Sequence, residues 1–349
     1  MSHRDGDGGR RVLEFTAPRS VRVRARDRDA VADDEVRVQT TLSAVSAGTE
    51  LLVYRDEVPD GMPVDASLPA FEGNRFEYPL AYGYAAVGRV TDCGSAVDDV
   101  WLGRRVFAFR PHQTSFTATP EELVVVPEEL STAAAAMLPT VETATTLVLD
   151  TAPRVGERIA VFGAGAVGLT TTALLAEFPL AELAVVEPLP ERRERAASLG
   201  ADTVVDPTEV ASLAERAAAD EEPGLDAAVE ISGTPAALDD AVGVVGYDGR
   251  VTVGSWYGEK RATLDLGGSY HRDRIAIESS QVSTLDPALR GRWSKDRRLA
   301  TALDHAAALP VTELITHRVP FAEARRAYEV LDEPDAADRR PLQVVLQYD

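Results

Sequence analysis

The segment Gly163-Ala164-Gly165-Ala166-Val167-Gly168 has the spacing G-x-G-x-x-G, and the carboxylate Glu187 follows 19 residues after Gly168. Glycines at these positions allow a tight turn, a close approach of backbone to a pyrophosphate, and close packing of a helix on a strand. The N-terminus of that helix presents amide N–H groups and a partial positive charge to the phosphates. The set Gly163, Gly165, Ala166, Val167 and Gly168 is therefore the candidate cradle of a dinucleotide. Glu187 is placed to accept hydrogen bonds from the adenosine ribose. A 2′-phosphate about 4 Å from it would be repelled by about 4 kcal/mol per charge pair at an effective dielectric of about 20, which favours NAD over NADP. Arg192 and Arg193 lie close enough in sequence to reach a 2′-phosphate, so NADP stays open; the other reading of both is a solvated helix face.

Other residues able to do chemistry are sparser. Ser232-Gly233 and Gly254-Ser255 each end an apolar run, where ligands meet the carboxyl edge of a parallel sheet, although the glycines also suit plain turns. His112, in the loop Arg110-Pro111-His112-Gln113, is a candidate proton carrier near neutral pH; an isolated loop histidine is more often simply solvated. Trp256, Tyr257 and Trp293 read first as core packing. The single cysteine, Cys93, rules out an internal disulfide and any multi-cysteine metal site.

These residues need elements to hold them. From Arg11 to about Val126, short alternating runs such as Val21-Arg22-Val23-Arg24 and Glu35-Val36-Arg37-Val38 predict several short β-strands. Ser131-Thr132 predicts the cap of a helix through Ala133 to Ala136, and a second helix covers Glu142 to Asp150. Beyond Pro153, apolar runs at Ile159-Phe162, Leu183-Val186, Val204-Val205, Ala227-Val229 and Val251-Val253 alternate with helical segments, the signature of βαβ units and a parallel sheet. A further strand is expected at Arg274 to Glu278. Val167, Thr171, Leu174, Leu175 and Phe178 fall on one helix face. Helices near Arg297 to Ala308 and Phe321 to Leu331, then a strand at Leu342 to Gln347, close the chain.

Composition narrows the function. The chain has 57 acidic and 36 basic residues, a net charge of −21, and 45% hydrophobic residues. That argues for a globular protein and against nucleic acid as partner, since phosphate binding needs a basic face. Lys260 and Lys295 are the only lysines, so 36 − 2 leaves 34 arginines. An acidic, lysine-poor surface suits a salt-filled cytoplasm, where screening lengths near 3 Å at about 1 M salt would soften any charge-based choice between NAD and NADP. No apolar stretch approaches the ~18 residues of a membrane span. The polar, Gly-rich opening is followed by Arg19, Arg22, Arg24 and Arg26, so no signal peptide is read and the expected location is the cytoplasm.

The order of β domain, nucleotide domain and short return segment resembles the medium-chain dehydrogenase/reductase superfamily, that of the alcohol dehydrogenases. Ser43-Ala44-Val45-Ser46-Ala47-Gly48-Thr49-Glu50 is similar to its Cys-Gly-Ile-Cys-Gly-Thr-Asp segment. Pro79 to Gly88 is similar to its Gly-His-Glu segment, and Leu314 to Phe321 is also typical. Ser-x-x-Ser-x-Gly-Thr-Glu with Tyr78-Pro79-Leu80 and Gly83-Tyr84 most resembles the branch of the bacteriochlorophyllide hydroxyethyl dehydrogenases; that substrate is not carried over.

The resemblance implies a Rossmann doubly wound parallel sheet beside a GroES-like β-barrel catalytic domain, an α/β plus β fold. The domains expected are 1–127 (with 1–10 a disordered tail), 128–304 for the dinucleotide, and 305–349 returning to the catalytic domain. Where zinc-containing members place cysteine and histidine ligands, this chain has Ser46 (or Ala47), Tyr84 and Pro139, none a usual zinc ligand, so no metal is expected. The resemblance makes Thr49 the proton-relay hydroxyl, lets the Tyr84 phenol stand in for the metal, and puts Thr143 near the nicotinamide carboxamide. Without a Lewis acid, hydrogen-bond donors must stabilise the alkoxide. The expectation is an NAD(P)-dependent oxidoreductase moving hydride to or from a small alcohol or carbonyl in an interdomain cleft, as a homo-oligomer (dimer or tetramer). A C=C reductase of enones or quinones and a non-catalytic NAD(P)-binding sensor or structural subunit are the alternatives.

Overall fold

The computed structural model describes residues 9–65, 68–219, 224–333 and 340–349. The chain forms two compact units, one of residues 1–139 and 310–349 and one of residues 140–309. The boundaries fall at 139/140 and 309/310 rather than at 127/128 and 304/305, because the helix after Ser131 packs on strands of the first unit. The expected tail lies mostly outside the described residues, but Gly9 and Arg10 already belong to the first strand.

In the first unit, β1 (Gly9–Ala17) and β2 (Ser20–Asp27) pair antiparallel; β3 (Val36–Val45) follows and runs into helix α1 (Ala47–Arg55). Then come β4 (Leu80–Ala81), β5 (Ala86–Cys93), β6 (Arg105–Ala108), β7 (Ser115–Ala118), β8 (Val124–Val125) and α2 (Thr132–Ala136). The Ser131 hydroxyl caps α2 by accepting from Ala134 N–H at 3.1 Å.

The second unit begins in the first turn of α3 (Leu138–Thr151). It continues with β9 (Arg158–Phe162), α4 (Ala166–Leu175), β10 (Glu182–Val186), α5 (Pro190–Ser198), β11 (Thr203–Val205), α6 (Ala211–Ala219) and β12 (Leu225–Glu230). After α7 (Pro235–Val244), β13 (Val245–Val253), α8 (Ser269–Arg272), β14 (Ala276–Ser279) and α9 (Lys295–Ala308), the chain returns to the first unit as β15 (Ile315–Pro320), α10 (Ala324–Asp332) and β16 (Gln343–Gln347).

The first unit holds a sheet of order β15-β16-β3-β5-β6-β8, with β7 on β3, and a smaller sheet of order β2-β1-β4. This is the GroES-like β unit. Alternation turns Val36, Val38, Val106 and Phe116 into one core, while Leu13, Phe15, Phe71, Tyr82, Phe321 and Tyr328 fill another. In the second unit all six strands run parallel in the order β11-β10-β9-β12-β13-β14. That is the doubly wound Rossmann order, whose switch point lies between β9 and β12.

Two local expectations need correction. Helix α4 buries every residue from Gly168 to Leu175 rather than one face, because it packs against β9 and β10 on one side and against α5 as well, and Phe178 lies beyond its end, 37% exposed. Tyr257 is half-buried and packs against the core of the second unit, as expected; Trp256 and Trp293 are half-buried, and Arg297 stacks its guanidinium over the Trp293 ring at 4.2 Å. Among the described residues no helix is long and apolar enough to cross a membrane.

Candidate active site

Helix α1 begins at Ser46, directly after the central strand β3, and its first turns carry Thr49 and Glu50. Tyr84 sits between β4 and β5. These segments bring the three hydroxyls together: Tyr84 Oη donates to Ser46 Oγ and lies 3.2 Å from Thr49 Oγ1. Ser46, Thr49 and Tyr84 are half-buried. Burial raises the Tyr84 pKa above its usual 10, against the smaller lowering by its bonds to Ser46 and Thr49. The phenol therefore keeps its proton at neutral pH and acts as a donor.

His112 is not a solvated loop residue. It is fully buried, because β1 crosses over its segment: Leu13 N–H donates to the His112 carbonyl at 2.9 Å. Its Nδ1 lies 2.7 Å from Ser43 Oγ and its Nε2 lies 3.1 Å from Glu50 Oε2. Ser43 Oγ is 2.8 Å from Tyr348 Oη, and Tyr328 donates to Glu50 Oε2 at 2.6 Å. Glu50 Oε1 accepts from Ser46 N–H at 2.7 Å. Glu50 and Ser43 stand in the segment from Ser43 to Glu50 with no role legible from the sequence, and nothing in the sequence points to Tyr328 or Tyr348.

The second unit holds the nucleotide candidates. At Gly163 φ is +101°, and a Cβ would stand 2.6 Å from Ser232 Cα; at Gly168 a Cβ would stand 1.9 Å from the Gly163 carbonyl oxygen. Both positions therefore require glycine. Gly165 differs, because a Cβ there would meet no protein atom within 4 Å. It is the N-cap of α4, and no side chain caps that helix, so Ala166 and Val167 open a first turn without a side-chain partner. Open space over an uncapped helix terminus fits the pyrophosphate of a dinucleotide.

Glu187 directly follows β10, 4% exposed. One carboxylate oxygen accepts from Ala164 N–H at 2.7 Å and the other from Leu189 N–H at 3.1 Å. It thus ties the glycine-rich turn to its own strand end, and its remaining lone pairs are left for ribose hydroxyls. Arg193 is not a purely solvated residue, since it reaches back to the Glu187 carbonyl at 2.6 Å and to Asp206 at 3.1 Å. Arg192 is half-buried on the same turn, and Thr143 is half-buried on α3.

At the carboxyl edge of β12 and β13, Gly233 N–H donates to Ser255 Oγ at 2.8 Å, and Gly254 N–H donates to the Glu230 carbonyl at 2.9 Å. Glu230, fully buried, accepts from Ser232 N–H at 2.8 Å and from the Tyr257 hydroxyl. Sequence reasoning missed Glu230. A carboxylate ending the apolar run Ala227-Ala228-Val229 was the available signal, since such a residue is buried only with partners.

The residues at the expected metal positions do not fit zinc. Ser46, Tyr84 and Pro139 offer neither thiolate nor imidazole, and both ring nitrogens of His112 are already engaged. Among the described residues, no group of three or more His, Cys, Asp or Glu side chains is placed to hold a metal ion.

Residues 166–301 match the family model described as zinc-binding dehydrogenase. The match lies within the nucleotide unit and includes none of Ser46, Thr49 or Tyr84. Among curated relatives, (R,R)-butanediol dehydrogenase of Bacillus subtilis is 27% identical over 255 residues, 64% of this chain and 69% of that protein. D-guloside 3-dehydrogenase of Escherichia coli is 25% identical over 333 residues, 90% of this chain and 94% of that protein. The crystal structure of 2R,3R-butanediol dehydrogenase from Bacillus subtilis superposes with a TM-score of 0.78 at 20% identity, covering 97% of this chain and 100% of that one. That likeness shows a shared fold. With the Rossmann order and the glycine-rich turn, these matches show an NAD(P)-dependent oxidoreductase similar to the alcohol dehydrogenases.

Proposed function

We propose that the chain is a zinc-independent dehydrogenase of secondary alcohols, working in either direction with NAD as the preferred cofactor. The observation that carries this reading is the seat of the Tyr84 phenol on Ser46 and Thr49; the family resemblance sets Ser46 and Tyr84 where zinc-containing members have ligands. The relatives support the substrate class, since their names describe dehydrogenation of butanediol and at position 3 of a guloside.

The nicotinamide, when bound, supplies or accepts the hydride. The protein's own part is to hold the substrate oxygen and its proton. In the reducing direction Tyr84, which keeps its proton at neutral pH, gives it to that oxygen as the hydride reaches carbon and is left as a phenolate; in the oxidising direction the phenolate takes the alcohol's proton as the hydride leaves. Ser46 accepts from Tyr84 now, and Ser46 and Thr49 can turn to donate to Oη when the phenol engages substrate, a change of hydroxyl rotor that moves no heavy atom. Gly165 and the first turn of α4 bind the pyrophosphate, Glu187 the adenosine ribose, and Thr143 with the Ser232-Gly233 and Gly254-Ser255 edge the nicotinamide half.

The test is Tyr84→Phe assayed on a panel of secondary alcohols and ketones in high salt. Removing one preorganised donor lowers kcat by about 10²–10³-fold, with NADH affinity unchanged. Wild-type turnover by this variant would refute the proposal.

A further inference from the structure

The hydroxyl cluster stands in front of a second, fully buried polar layer that the proposed chemistry does not use. Glu50, His112 and Ser43 are all shielded from solvent. Their hydrogen bonds form one connected chain. A carboxylate can only accept, so His112 carries its hydrogen on Nε2 and gives it to Glu50 Oε2. Nδ1 pairs with Ser43 Oγ, and Ser43 Oγ with Tyr348 Oη. Tyr328 and the Ser46 amide supply the other donors to Glu50. Each polar atom in this chain has a partner among one histidine, one glutamate and three hydroxyls.

The two arms of the cluster meet at Glu50. On one side its Oε1 holds the N–H of Ser46, whose Oγ receives the Tyr84 phenol. On the other, its Oε2 holds the His112 ring, which lies where a Cβ on Gly83 would stand, 2.4 Å from that position. Gly83 has φ +103° and immediately precedes Tyr84, and His112 N–H donates to the carbonyl of Tyr82 at 3.2 Å. One carboxylate thus fixes both Ser46 and the backbone that aims Tyr84.

We propose that Glu50 is a positioning residue for the Tyr84–Ser46–Thr49 cluster, acting on Ser46 directly and on Gly83-Tyr84 through the Nε2–H tautomer of His112. The inference rests on the proposed role of Tyr84. A reacting group displaced by about 1 Å can cost about 10²-fold in rate, so loss of this tether reads out in kcat while the nucleotide unit, which contains none of these residues, is untouched.

The experiment compares Glu50→Gln, Tyr328→Phe and Tyr84→Phe in the full-length chain. Turnover is measured on the same secondary-alcohol panel, led by 2,3-butanediol, together with NADH affinity and the ¹⁵N resonances of the His112 ring. Glu50→Gln should lower kcat by about 10- to 100-fold with NADH affinity unchanged, and should shift the His112 nitrogen resonances. Tyr328→Phe removes one donor to Glu50 without touching Ser46 or Gly83; it should lower kcat several-fold in the same pattern, and it decides the matter should Glu50→Gln not fold. Turnover lost in Tyr84→Phe but retained in both other variants overturns the positioning role and leaves the Tyr84 reading standing. A wild-type His112 with no hydrogen on Nε2 also overturns it. Turnover retained in Tyr84→Phe, or absent from the wild type, refutes the underlying reading instead.

Discussion

Gly165→Ala separates the needs of the fold from those of the cofactor. The added methyl meets no protein atom within 4 Å, and the backbone at φ −73° suits any L residue. The fold therefore loses only the difference between glycine and alanine as a helix N-cap, about 1 kcal/mol. For a unit of this size that is about 2–4 °C in Tm. The same methyl occupies the space over the helix terminus assigned to the pyrophosphate. Overpacking of one methyl group costs about 1–3 kcal/mol, which corresponds to about 5- to 150-fold weaker NADH binding. Gly168→Ala is the contrast, since its Cβ would lie 1.9 Å from the Gly163 carbonyl oxygen and distort the turn itself; stability and binding should fail together. Fluorescence titration with NADH, alongside thermal unfolding, reads both quantities. Wild-type NADH affinity in a folded Gly165→Ala would show that the pyrophosphate does not lie there.

Glu187→Ala should weaken NADH binding and improve NADPH relative to it, because the substitution removes both a ribose acceptor and the charge facing a 2′-phosphate; an unchanged ratio in paired titrations would deny Glu187 any part in the choice. Arg298 is 2% exposed and binds Glu142 at 2.8 Å. Burial already raises the Glu142 pKa and Arg298 opposes that rise. Arg298→Ala leaves an unpaired buried carboxyl and should cost about 3–5 kcal/mol in urea unfolding, whereas a loss below about 1 kcal/mol would contradict this. Burial raises the pKa values of Tyr82, Tyr84, Tyr328 and Tyr348 above the ordinary 10. Above pH 10 the unfolded chain gives up phenolic protons that the folded chain keeps, so stability falls as pH rises, by up to about 1.4 kcal/mol per pH unit for each tyrosine. Unfolding midpoints that stay level from pH 9 to 11 would contradict it.

The parts of the molecule that the sequence announced are those whose physics is local. The turn from Gly163 to Gly168, the strand–helix alternation after Pro153 and the Ser131 cap are each set by residues within a few positions of one another. The meeting of Ser46, Thr49 and Tyr84 spans 35 to 38 residues and was readable only through resemblance to a known family. The buried layer behind them was not readable at all. Its bonds join residues 62, 69, 278 and 305 positions apart, and no periodicity links a loop histidine to a tyrosine on α10 or to one at the chain's end. His112 looked solvated because the strand that covers it, β1, lies about a hundred residues earlier, and nothing in its own neighbourhood predicts that cover.

The account's central claim is that hydroxyl donors, not zinc, hold the substrate oxygen. Its most direct test is elemental analysis of the purified protein, with turnover measured before and after exhaustive dialysis against a chelator in high salt. The account predicts far less than one zinc per chain and a kcat unchanged by the chelator. Stoichiometric zinc whose removal abolishes turnover, and whose return restores it, would contradict the account.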